Sequence, residues 1–134
     1  MNQLKDKREI QKILSIPFIW APIIAIIIFD IFLEVYHRIC FPLYGLPVVK
    51  RSKYIKIDRH KLKYINFIQK VNCVYCGYVN GFMNYASKII GETEKYWCGI
   101  RHDKTDKNFI EPKHHSEFVL DYNNENQFRE FLNS

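Results

Sequence analysis

The chain has 134 residues and carries a net charge of +6, from 20 Lys and Arg against 14 Asp and Glu. At this length it builds one compact domain at most, and an aromatic share of 16% with only five Gly and five Pro excludes the disordered and linker classes. The basic excess is densest from His37 to Lys70, directly after the most apolar segment, so a membrane surface is the expected partner and nucleic acid is disfavoured.

Residues 1–12 are polar and mixed in charge, and residues 13–41 are expected to form a membrane-anchor helix. From Ile16 to Leu33 there are 18 residues with Asp30 as the single charge, the length at which a transmembrane helix becomes the preferred reading. The run is too long for a signal peptide, and Glu34, Tyr36, His37 and Arg38 follow it in place of a small-residue cleavage site. Pro17 fits the first turn with Ser15 as a cap, and Pro22 is expected to kink the helix, which leaves a re-entrant, one-leaflet helix open beside a spanning one. Asp30 and Glu34 lie one turn apart with Arg38 a turn further on, so Glu34 can pair with Arg38 while Asp30 is the more deeply placed acid, and both acids can face a protein partner.

Basic residues flank both ends of this run: Lys5, Lys7, Arg8 and Lys12 before it, and Arg38, Lys50, Arg51 and Lys53 after it. Lys56, Arg59, Lys61 and Lys63 further on tip the balance toward a C-terminal domain facing the cytoplasm. Residues 42–58 read as a linker with a short extended segment. The run from Phe41 to Pro47 is rich in breakers, and Tyr54 to Asp58 alternates apolar and polar residues like a segment lying on something.

Residues 59–134 form the expected helical metal-binding domain. Leu62, Ile65, Ile68 and Val71 recur every third position, which predicts an amphipathic helix from Arg59 to Val71 with Asp58 as its cap. Val79, Phe82, Met83, Ala86, Ile89 and Ile90 predict a second helix to about Trp97, in which Gly81 and Gly91 each cost about 1 kcal/mol relative to Ala. Residues 103–116 read as loop, and the chain from Asn124 as a short helix with Phe128, Phe131 and Leu132 inward. The fold class is mainly α: an N-terminal membrane helix, a short extended segment and a small metal-clasped helical hairpin.

The clasp is expected within Val71–His102, with one long helix leaving the first cysteine pair and a turn bringing the chain back. Cys73 and Cys76 form a C-x2-C pair followed by Gly77, and Cys98 precedes His102 by four residues, one face of a helical turn if the turn continues. Three thiolates and one imidazole suit zinc best, with iron as the alternative, and a filled tetrahedral set leaves no coordination position for a substrate water. His114, His115 or His60 can replace His102 if it points away. Glu94, one turn before Cys98, can supply a bond to a ligand or an ion pair. The competing readings are small buried cysteines with a surface His102, and a metal-free redox pair. C-x2-C with a trailing histidine, and Cys40 alone at the end of the apolar run, fit a reducing compartment better than two disulfides.

Cys73-Val74-Tyr75-Cys76-Gly77-Tyr78 resembles the first knuckle of rubredoxins, which implies iron held for electron transfer, although Cys98-Gly99-Ile100-Arg101-His102 departs from the second knuckle. More broadly, residues 42–102 resemble a group of small uncharacterised bacterial membrane proteins through Tyr75-Cys76-Gly77-Tyr78, Asn80-Gly81, Thr93-Glu94 and Tyr96-Trp97-Cys98. That resemblance implies the bacterial inner membrane and no particular activity.

No nucleophile with a base and orienter can be assembled, and no phosphate-binding glycine loop is present. The expected function is therefore a membrane-anchored, structural-zinc domain acting as an interaction or assembly module. It would meet a protein partner through the membrane helix at Asp30 and Glu34 or through the helical domain. The alternatives are a rubredoxin-like electron carrier and a membrane-associated enzyme for a lipid-linked substrate.

Overall fold

A computed structural model describes residues 2–134, with side chains from Lys7 onward, so the Lys5 side chain lies outside the described residues. Four helices carry the chain: α1 (Asn2–Trp20), α2 (Pro22–Tyr44), α3 (Phe67–Trp97) and α4 (Glu125–Asn133). Short 3-10 turns stand at Arg51–Lys53, Arg59–Lys61 and Lys113–Glu117. The expected mainly helical class is the class observed, with no strand among the described residues beyond one isolated bridge between Ile100 and Leu120. The chain divides into two compact units, one ending at Met83 and the other running from Asn84 to Ser134.

In the first unit the apolar run is a helix from Lys7 to Tyr44, long and apolar enough to cross a membrane and interrupted only at Ala21. The interruption falls before Pro22, whose ring removes a donor and crowds the preceding turn. Pro17 is inside α1 rather than in a first turn, because the polar N-terminal residues are already helical. Ile26, Leu33, His37 and Phe41 are buried at spacings of seven, four and four, one face of α2. His37 accepts the Val49 N–H at Nε2 (2.9 Å), which ties the chain after the helix back onto it.

Asp30 stands on that same face and is paired. Arg51 donates to both of its carboxylate oxygens at 2.6 Å, and the Tyr78 hydroxyl donates to Oδ2 at 2.5 Å. Burial first, and then the Asp30 carboxylate, push the Tyr78 phenol up to about 12, so it remains a proton donor at physiological pH. Glu34 pairs with Arg38 at 2.7 Å, as the four-residue spacing predicts.

Residues 54–57 are irregular and lie on α3. An added Cβ at Gly81 would meet the Ile55 Cα and the Tyr54 carbonyl at 2.9 Å, so only glycine admits this segment at that distance. Asp58 pairs with Lys56 at 3.5 Å and makes no capping bond, contrary to expectation.

The helical hairpin is the main correction. The expected helix over 59–71, the knuckle and the second helix are replaced by a 3-10 turn at Arg59–Lys61 and one unbroken helix, Phe67–Trp97. Its start is fixed by a reciprocal cap, in which Asn66 Oδ1 accepts the Gln69 N–H (2.8 Å) and Gln69 Oε1 accepts the Asn66 N–H (2.9 Å). The sequence Asn66-Phe67-Ile68-Gln69 carries that signal, and it outweighs the apolar repeat that reaches back to Leu62.

In the second unit α3 ends at Trp97, where Cys98 and Gly99 both donate to the Glu94 carbonyl (2.8 and 2.9 Å). The chain then turns away from the axis. Arg101 holds it through N–H to the Leu120 carbonyl (2.9 Å) and Nε to the Phe118 carbonyl (2.8 Å). α4 begins where expected, with Asn124 accepting from the Gln127 N–H. Phe128 and Phe131 are half-buried, whereas Leu132 is 64% exposed rather than inward.

Candidate metal centre

Cys73 and Cys76 sit three residues apart inside α3, and Gly77 is helical, placed against the Lys56 carbonyl rather than in a knuckle turn. Cys98 follows the last helical residue. Cys73 and Cys76 belong to the first unit, and Cys98 and His102 to the second. The expected turn between Cys98 and His102 is also absent, because the helix stops at Trp97. His102 is exposed, with its ring 5.0 Å from Phe109 and 5.1 Å from His115. None of the four expected ligands belongs to the group of converging ligand atoms found among the described residues. Cys40, at the end of the apolar run, is a half-buried free thiol.

A different set converges in the second unit. The last turns of α3 supply Glu94, and the 3-10 turn Lys113–Glu117 supplies His114 and His115. Glu94 Oε2 lies 3.2 Å from His114 Nε2 and 3.3 Å from His115 Nε2. With ligand bonds of about 2.0–2.1 Å, the edges of a coordination tetrahedron are about 3.3 Å, so both separations are the right size for shared ligation of one ion.

The surroundings are built for these rings. An added Cβ at Gly91 would meet the His114 ring carbons at 2.8 and 2.9 Å, so the glycine, one turn before Glu94, makes the space in which that imidazole lies against the helix. His115 is 4% exposed and stacks on buried Phe118 with centroids 4.7 Å apart. Its Nδ1 is buried without a hydrogen-bond partner, with Glu111 Oε1 the facing carboxylate at 3.5 Å. When Nε2 of an imidazole binds a metal, Nδ1 carries the proton and is turned to a carboxylate or carbonyl, the role Glu111 is placed to take.

A Gly91→Ala chain is accordingly expected to keep its helix, since Ala favours helix by about 1 kcal/mol, and to bind metal about 10- to 100-fold more weakly because the His114 ring is displaced. Isothermal titration with zinc, beside circular dichroism, checks both halves. Sequence reasoning had His114 and His115 as substitutes for His102 and Glu94 as a neighbour of the site. The overlooked signal was Gly91, read as a weak point of a helix when its missing side chain opens the site.

The first unit holds an open apolar groove of about 760 Å³ lined in part by Trp20, Ile23, Phe67, Val71 and Tyr75. His60, one of the substitutes for His102, lines it, whereas Cys73, Cys76, Cys98 and His102 do not. No family model, curated protein or solved structure matches the chain.

Proposed function

We propose that the chain is a membrane-anchored metalloprotein whose second unit, Asn84–Ser134, is cross-linked by one zinc ion held by Glu94, His114 and His115, and that this unit works as an interaction or assembly module. The observation that carries the reading is the convergence of both imidazole Nε2 atoms on one carboxylate oxygen at 3.2 and 3.3 Å. Two imidazoles and a carboxylate, all borderline or hard donors, suit zinc, and iron is the alternative that the same set serves. The ion would tie the end of α3 to a segment twenty residues later, in a unit of about fifty residues whose own core is small.

Apolar surface supports the module role, since Trp97, Ile110 and Val119 are 61%, 91% and 75% exposed. The net charge of +6 and four free cysteines fit the cytoplasmic face of a bacterial inner membrane. A second reading comes from the ligand count. Three protein ligands leave a coordination position for water, the arrangement of catalytic zinc, which keeps an enzyme acting on a lipid-linked substrate as the alternative.

Elemental analysis of the full chain purified in mild detergent is expected to give one zinc per chain. Chelation is then expected to lower the unfolding transition, because structural zinc contributes on the order of 10 kcal/mol to folding. A chain that holds no stoichiometric metal and gains no stability when zinc is added overturns the proposal.

A further inference from the structure

The membrane helix is clad on one side only, and what clads it is polar on its far side. Ile26, Asp30, Leu33, His37 and Phe41 face the protein, while Ile24, Ile28, Ile31, Phe32, Val35 and Ile39 are exposed along the opposite face of α2. Against the inner face lies the first part of α3. Tyr75 donates to the Ile19 carbonyl at 2.5 Å, Tyr78 donates to Asp30, and the Phe82 ring packs edge-on against Phe29 at 5.4 Å. Residues 54–57 are in turn seated on α3 at Gly77 and Gly81.

These contacts fix depth. Ile19 to Asp30 is the middle of the apolar run, so everything pinned to Tyr75–Phe82 shares its level. Asn72, Cys76 and Asn80 project from the exposed side of α3 at that level, and the Lys56 side chain is 82% exposed there. If α2 crossed the bilayer, the Lys56–Asp58 ion pair, 3.5 Å apart with both side chains exposed, and the side-chain amides of Asn72 and Asn80, the latter bonded to the Cys76 carbonyl of its own helix, would stand in the acyl region. If the unit lies flat, the isoleucine face of α2 enters the lipid and the amides and Lys56 stay in water. Flat placement also accounts for basic residues at both ends of the run, Lys7, Arg8 and Lys12 before it and Arg38, Lys50 and Lys53 after it. All of them then reach anionic headgroups of one leaflet.

We infer that the first unit is monotopic, with the outer face of α2 embedded in one leaflet and the outward face of α3 in water on the same side. The inference rests on the membrane attachment in the reading above and is independent of the metal.

Impermeant maleimide labelling of the full chain in sealed native-membrane vesicles tests it, with single-thiol chains made by Cys→Ser at the other cysteines. The thiols compared are native Cys76, one introduced by Lys7→Cys and one introduced by Lys56→Cys. All three are expected to label from the same side of the membrane, within about twofold of their rates after detergent solubilisation. Two results overturn the flat placement while leaving the anchor intact: labelling of position 7 from the side opposite to position 56, or Cys76 and position 56 unreactive until detergent is added. Release of the chain by alkaline carbonate without detergent overturns the flat placement and the anchored reading together.

Discussion

Serine in place of both Cys73 and Cys76 is expected to leave the zinc content at one per chain, whereas His115→Ala removes the zinc. The two thiols lie within an unbroken helix and belong to no group of converging ligand atoms among the described residues, so their loss costs little beyond local packing. His115 is the buried member of the converging set, held by Phe118 on its face and opposed by Glu111 at Nδ1. Loss of an outer partner in a metal site typically costs 10- to 100-fold in affinity, and loss of a ligand costs more, so His115→Ala is expected to weaken zinc binding by about 100-fold or more. Glu111→Gln removes only the outer carboxylate and is expected to fall in the lower range. Competition titration against a chelator of known affinity reads all three. The ranking reverses if the thiol pair carries the metal.

Arg51→Ala is expected to destabilise the first unit by about 2 kcal/mol. The Arg51–Asp30 pair is bidentate at 2.6 Å, and Asp30 also accepts from Tyr78, so removal of the guanidinium strands a carboxylate that is only 13% exposed. Breaking a fully buried pair costs about 3–5 kcal/mol, and the 37% exposure of Arg51 places this one below that range. The paired substitution Asp30→Asn with Arg51→Ala is expected to recover part of the loss, because position 30 then carries no charge to be stranded. Equilibrium unfolding in detergent, followed by tryptophan fluorescence from Trp20, gives the four corners of the cycle. Additive losses in the double variant would show that the pair is not coupled.

The contrast between these sites shows what the chain discloses on its own. Short-range rules were legible. Glu34 and Arg38 pair at their four-residue spacing, Pro22 breaks the apolar helix, and Asn124 caps the last helix. The apolar run was legible from its length, but its clad face was not, since no local pattern tells Asp30 that Arg51, 21 residues away, will supply its partner.

Long α3 was missed because Cys73-Val74-Tyr75-Cys76-Gly77 carries a metal-turn spacing and also fits a helix. The reciprocal cap at Asn66 and Gln69 starts the helix just ahead of that segment, which then continues it unbroken. The candidate metal set was legible only as substitutes and a neighbour, for a related reason. Glu94 and the two histidines are 20 and 21 residues apart, and they meet because Arg101 fastens the returning chain to Phe118 and Leu120. Gly91 marks the meeting place, and in a single sequence a glycine in a helix shows its cost before it shows its purpose.

X-ray absorption at the zinc edge of the full, zinc-loaded chain tests the central claim most directly, because nitrogen, oxygen and sulfur ligands differ in bond length. Coordination by Glu94, His114 and His115 predicts a first shell of nitrogen and oxygen at about 2.0–2.1 Å, with the outer-shell scattering of two imidazoles. A zinc–sulfur distance of about 2.3 Å would place the metal on the cysteines and contradict it.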